Sequence, residues 1–166
     1  MSDLLARLTG IVLLRLGPQD LPAGTAPVTV AMLLYLLATG ITMSLGQTPD
    51  NAAGMLIIAI VLPLVLVRLV LALRQCPERW AQTVTALFGT SAILTAISLP
   101  LATLAGHDEP PVIAVLISLV IFAWSFAVDA HIWRHALNVG YATGLAVAVV
   151  LFAVTLFVIQ TLAGPL

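Results

Sequence analysis

Apolar side chains occur in long runs along the sequence, and charged residues, glycine and proline fall mainly between those runs. A helix needs about 20 consecutive apolar residues to cross the ~30 Å hydrocarbon core of a bilayer. Five runs reach this length, at about residues 27–46, 52–73, 81–104, 111–135 and 139–162. The pattern predicts an all-α integral membrane protein with a single transmembrane domain, residues 27–162. Its five transmembrane helices are called spans 1 to 5 here.

Residues 1–22 show a different pattern, in which apolar residues recur at helical spacing and charged residues lie on the other side. The two sets are Leu4, Leu5, Leu8, Ile11 and Val12 against Asp3, Arg7 and Arg15. The apolar stretch is too short to cross a bilayer, and it lacks the basic start and cleavage site of a signal peptide. Such a helix is typical of segments that lie in the membrane interface. We predict an N-terminal amphipathic interfacial helix in residues 1–22.

The composition supports the membrane assignment and excludes two other classes. Of 166 residues, 61% are apolar and 8% are charged, whereas a soluble domain has about 25% charged residues. A single core of this size could not bury so much apolar surface, which excludes a soluble monomer. Six basic and seven acidic residues give a formal net charge of −1, so the chain lacks the positive surface that nucleic-acid binding needs. The lipid bilayer is therefore the expected partner, and nucleic acid is not.

The basic residues predict the orientation. All six are arginines, and all fall on the same side of the predicted spans: Arg7, Arg15, Arg68, Arg74, Arg79 and Arg134. The loops on the other side contain Asp50, His107, Asp108 and Glu109, and neither loop contains Lys or Arg. The positive-inside rule then places the N-terminus in the cytoplasm and the C-terminus outside. Exclusive use of arginine is in keeping with a GC-rich bacterial genome, so we expect a bacterial cytoplasmic (inner) membrane with a periplasmic C-terminus.

Two charged residues lie inside the predicted spans. Arg68 in span 2 and Asp129 in span 4 occur at comparable depths. An unpaired charge at a helix centre costs about 2.5–3.5 kcal/mol on insertion scales. We predict that Arg68 and Asp129 form a structural ion pair between the two spans. In the alternative, Arg68 extends to the lipid headgroups and Asp129 faces a hydrated cytoplasmic vestibule.

A histidine pair near the end of span 4 is the candidate metal site. His131 and His135 are four residues apart, so they share one helix face, at the spacing found in the two-histidine motif of metalloproteases. Ile132 stands where that motif has glutamate, and Arg134 would repel a cation. The pair also suits a polar helix end at the membrane surface or a pH-sensitive patch. A single cysteine, Cys76, excludes a disulfide framework, and we expect neither enzymatic activity nor a cofactor.

Small residues at four-residue spacing predict helix packing. Helices in lipid associate through close backbone approach at such residues and through hydrogen bonds. The two stripes are Ala81, Thr85 and Gly89 in span 3, and Gly140, Gly144 and Ala148 in span 5. Because span 3 is also rich in Ser and Thr, we expect it to lie at the centre of the bundle. The stripe of span 5 should meet span 3 or a second copy of the protein.

Residues 79–101, RWAQTVTALFGTSAILTAISLPL, resemble the third helix of Yip1-domain membrane proteins, a polar, small-residue helix that ends in a Leu-Pro step. Spans 4 and 5 resemble the closing half of that domain, so that the similarity covers residues 27–162. The resemblance implies five spans with a cytoplasmic N-terminus, and it implies no catalytic residues.

Two functions fit these observations. The first is a small non-enzymatic inner-membrane protein that acts as a scaffold or as a subunit of a membrane assembly, and associates with other membrane proteins or with itself. The second is a transporter or channel subunit in which Arg68, Asp129 and the polar face of span 3 form a pathway.

Overall fold

The computed structural model describes residues 2–45, 51–105 and 111–163, and in these ranges every regular element is helical. The helices are α1 (Ser2–Val12), α2 (Thr25–Leu45), α3 (Ala52–Leu73), α4 (Trp80–Ala105), α5 (Val112–Leu137) and α6 (Tyr141–Ala163). Helices α2 to α6 are long and apolar enough to cross a membrane. The structure thus confirms the predicted class, a multi-pass helical membrane protein. The loop residues Asp50, His107, Asp108 and Glu109 lie outside the described ranges.

The ends of the long helices fall within two residues of the predicted apolar runs. Local chemistry fixes several of these ends. The Asn51 side chain caps α3 by accepting the Gly54 N–H at 3.2 Å. Asn138 ends α5 in the left-handed conformation, with φ of 53°, which is the usual geometry of a helix C-terminal cap. Because the turn after Asn138 is short, α5 and α6 are antiparallel neighbours.

Helix α4 lies at the centre of the bundle, where the sequence placed it, and packs against α1, α2, α3 and α5. Its start lies beside the end of α5, because the Arg79 guanidinium donates hydrogen bonds to the carbonyls of His135 and Ala136, at 3.2 and 3.0 Å. The His135 carbonyl also accepts the Asn138 N–H at 3.4 Å, and both carbonyls belong to the negative end of the α5 dipole. We call this end of the bundle, where α3 and α5 end and α4 begins, the basic end.

Helix α1 forms as predicted, but its apolar face is buried in protein. Leu8 and Ile11 are fully buried, and α1 packs against α4 and α5. The Trp124 indole N–H of α5 donates to the Val12 carbonyl at 3.0 Å. Leu8 contacts Gly89 of α4, which lies nine residues, or about 13 Å, inside the start of that helix. The face that the sequence assigned to the lipid interface therefore docks on the bundle.

Candidate functional site

A cavity with both apolar and polar lining residues lies between the five spanning helices. Its volume is about 510 Å³, within the 300–1,000 Å³ that is typical of small-molecule sites. Each long helix contributes to its wall; examples from α2 to α6 in order are Tyr35, Pro63, Ser91, Asp129 and Thr155. We call it the central cavity.

The central cavity contains a carboxylate and two hydroxyls that have no partner among the residues that the structure describes. Asp129 makes no hydrogen bond and no ion pair with any residue that the structure describes. The same holds for the side-chain hydroxyls of Ser91 and Thr95 on α4. By contrast, Ser125 and Thr155 bond to carbonyls of their own helices, at 2.7 and 2.8 Å. Asp129, Ser91 and Thr95 are therefore the groups available to a bound solute.

The position of the cavity along the helices places it well inside the membrane. Asp129 lies eight residues before the last residue of α5, about 12 Å from the basic end at 1.5 Å per residue. Thr95 lies 15 residues into α4, about 22 Å from the same end. With a hydrocarbon core of ~30 Å, these polar groups occupy its middle.

A packed core separates the central cavity from the basic end. We call it the floor cluster, and its members are at most 4% exposed: Val67, Leu71, Val84, Phe88 and Trp133. On the opposite side of the cavity, the part of the chain that the structure describes buries no large apolar side chain. The cavity is therefore closed towards the basic end.

The predicted ion pair between Arg68 and Asp129 does not form. Arg68 is exposed, and it lies in a groove with Leu64, Val65, Leu69, Ala72 and Trp80 on the outside of α3. Its neighbour Val67 faces the core, with 1% exposure. Successive residues of a helix are rotated by about 100°, so Arg68 points away from the cavity although its depth along α3 suits Asp129. Its exposure agrees with the alternative, extension towards the headgroups.

Most buried threonines of α4 are satisfied within the helix. Thr83, Thr85 and Thr90 are at most 1% exposed. Each donates to the carbonyl four residues earlier, at 2.8, 2.7 and 2.8 Å, a local bond that threonine commonly makes in helices. Much of the polar character of span 3 is therefore structural, and only Ser91 and Thr95 from this helix face the cavity as free hydroxyls.

The two small-residue stripes are used for contacts within the chain. Ala81 packs at the edge of the core, Thr85 is buried, and Gly89 faces Leu8 of α1.

In the stripe of α6, a Cβ on Gly144 would lie 2.4 Å from the Ala130 carbonyl oxygen of α5, whereas Gly140 has no heavy atom within 4 Å. Ala148 belongs to the core. We predicted that this stripe meets span 3 or a second copy; at Gly144 the structure differs, because the short turn at Asn138 brings α6 against α5.

One member of the histidine pair, His131, contacts the N-terminal segment. His131 is 7% exposed, and its Nε2 lies 3.0 Å from the Leu16 carbonyl oxygen. The ring centroids of His131 and His135 are 4.6 Å apart. Within the described ranges, no group of three His, Cys, Asp or Glu side chains could hold a metal ion. The pair alone supplies fewer protein ligands than a zinc site uses.

The sequence did not identify the central cavity, although it contains a signal for it. Ser91 and Thr95 are four residues apart in α4, and Ser125 and Asp129 are four apart in α5, so each pair shares one helix face. Two such polar faces at similar depth indicate a shared polar space.

Comparison with protein-family models, with curated proteins and with solved structures finds no match to this chain. The resemblance to Yip1-domain proteins therefore stays a prediction.

Proposed function

We propose that this protein is a transporter or channel subunit that accepts a small cationic solute in the central cavity. The observation that carries this proposal is Asp129, a carboxylate without a partner among the described residues, in a cavity lined by all five spans. An ionised side chain at membrane depth costs about 2.5–3.5 kcal/mol on insertion scales. A cation in the cavity would offset that cost. Intramembrane carboxylates commonly mark ion and substrate pathways.

The other groups of the cavity suit the same solute. The hydroxyls of Ser91 and Thr95 can accept hydrogen bonds from an ammonium or from the hydration shell of a metal ion. The Tyr35 ring lies in the wall, and an aromatic face attracts cations. The volume of about 510 Å³ exceeds what a bare ion needs, which favours a small organic or hydrated cation.

The scaffold role that the sequence favoured now ranks second. It rested on the lack of a reactive group of residues, on helix-packing signals and on short loops, and the structure uses those signals inside the chain, because Gly89 contacts α1 and Gly144 contacts α5. Neither stripe offers its close-packing glycine to another protein. We also propose that the chain is not an enzyme, because no Ser, Thr or Cys side chain in the described ranges is hydrogen-bonded to a His, Asp or Glu side chain that could activate it.

We propose the cytoplasmic membrane of a bacterium as the location, with the basic end in the cytoplasm and the C-terminus in the periplasm. The support is the positive-inside rule together with the packing of Arg79 on the end of α5, which brings Arg79 and Arg134 to the same end of the bundle. In this orientation the floor cluster separates the central cavity from the cytoplasm.

Flux measurements on the purified full-length chain in liposomes test the proposed transport function. The panel comprises protons, Na⁺, K⁺, guanidinium and choline. We expect at least one flux above that of protein-free liposomes, and we expect Asp129→Asn to abolish it. Glu78→Gln is the matched control, because it also removes one carboxylate, but from a side chain that is 68% exposed at the basic end. It should leave the flux unchanged.

Absence of flux across the panel, or equal flux with Asp129→Asn, would contradict the proposal. If the protein also co-purified with another membrane protein at fixed stoichiometry, the scaffold role would take its place.

A further inference from the structure

Arg68 is a charged residue on the outside of the bundle that has no partner among the described residues. Its side chain is exposed, and it makes no ion pair or hydrogen bond within the ranges that the structure describes. It lies five residues before the end of α3, so its Cα is about 8 Å inside the basic end. An arginine at this depth can extend its guanidinium to the headgroup level.

The groove around Arg68 is otherwise apolar. Its volume is about 560 Å³, and its other lining residues are Leu64, Val65, Leu69, Ala72 and Trp80. Trp80 begins α4 at the basic end, and tryptophan commonly marks the headgroup level of a membrane protein. The groove thus contains the Arg68 guanidinium and the Trp80 ring, and its other lining side chains are aliphatic.

The apolar surface continues along α3 away from the basic end. Ile57, Val61, Val65 and Leu69 recur every four residues, and each is 51–61% exposed. This strip covers 12 residues, or about 18 Å, which exceeds half of a ~30 Å hydrocarbon core. One acyl chain of a lipid could therefore lie along this strip across the whole thickness of one leaflet.

We propose that the groove binds an anionic phospholipid, whose phosphate pairs with the Arg68 guanidinium while an acyl chain follows the exposed strip of α3. Guanidinium groups bind phosphate oxygens in a bidentate manner. Among the described residues, no carboxylate forms an ion pair with Arg68, and Glu78, the acidic residue at this end of α3, lies 4.0 Å from Arg79 instead. A lipid with a net negative charge is therefore favoured over a zwitterionic lipid, whose own ammonium already balances its phosphate.

Native mass spectrometry of the purified full-length protein tests this site. The protein in detergent is mixed with phosphatidylglycerol or phosphatidylcholine at equal mole fraction, and the retained lipid is counted. We expect a preference for phosphatidylglycerol of about fivefold to tenfold, the effect of one charge-assisted contact at a membrane surface. Arg68→Gln should remove this preference.

Two further variants make the test specific. Arg15→Gln removes one exposed arginine outside the groove and should keep the preference. Ala72→Phe fills the groove but retains Arg68, and it should lower the retention of phosphatidylglycerol. Equal losses in Arg68→Gln and Arg15→Gln would overturn the site in favour of general charge attraction. Full retention in Ala72→Phe, or equal retention of both lipids by the unmodified protein, would overturn it as well.

Discussion

Replacement of Gly144 by alanine tests the close contact between α5 and α6. The added Cβ would lie 2.4 Å from the Ala130 carbonyl oxygen and 2.9 Å from the Arg134 amide nitrogen. Both are backbone atoms, so no side-chain rotation can relieve the clash. Carbon–oxygen contacts between neighbouring helices are normally about 3.3–3.6 Å, and the two helices must therefore separate by about 1 Å.

The expected loss of stability follows from two opposing terms. Overpacking of this kind costs about 1–3 kcal/mol, and the better helix propensity of alanine offsets about 1 kcal/mol of it. We expect Gly144→Ala to lower the free energy of unfolding by up to about 2 kcal/mol. The separation of α5 and α6 should also loosen the packing of Trp133 in the floor cluster.

The matched control is Gly140→Ala in the same stripe. Gly140 has no heavy atom within 4 Å, and its carbonyl accepts the Gly144 N–H at 3.0 Å, which places it at the start of α6. Alanine there should change stability by only about 0.5 kcal/mol, the difference in preference at a helix start. The assay is reversible unfolding in mixed micelles at increasing SDS fraction, followed by circular dichroism. A cost for Gly144→Ala no larger than that for Gly140→Ala would refute the reasoning.

Three other predictions follow from the site and from the N-terminal helix. Asp129→Asn should leave the free energy of unfolding unchanged or raise it by up to ~2 kcal/mol, because the lost charge has no protein partner among the described residues. A clearly lower free energy of unfolding in the same assay would show that Asp129 does have a protein partner. Leu8→Ala should undock α1 at a cost of about 2–5 kcal/mol, seen as faster proteolysis within residues 13–24. Thr95→Val should lower cation flux in liposomes, whereas Thr90→Val should not, because the Thr90 hydroxyl is bonded within α4. Equal effects of the two substitutions would show that Thr95 does not contact the solute.

The spans were predictable from the sequence because the bilayer imposes both a length and an apolar composition on each helix. The central place of α4 was also predictable, since small and polar residues concentrate in that helix. These features depend on the order of residues along the chain, which the sequence shows directly.

The direction in which each side chain points was harder to predict. Arg68 and Asp129 have matching depths, yet the one-residue step from Val67 turns Arg68 away from the core. The stripe that contains Gly144 correctly indicated a close helix contact, but spacing alone does not say which helix supplies it. The amphipathic pattern of α1 is likewise the same for a lipid surface and for a protein surface, so the docking of Leu8 on Gly89 needed the structure.

The most direct test of the central cavity is the accessibility of Thr95 to a water-borne reagent. Thr95→Cys is introduced into a Cys76→Ser chain in sealed proteoliposomes of known orientation, and a cationic, membrane-impermeant thiol reagent is added to one side at a time. We predict modification from the side opposite the basic end, with none at Thr90→Cys, because Thr90 is 1% exposed. If Thr95→Cys is as inert as Thr90→Cys, or reacts only from the basic end, the account of the central cavity is contradicted.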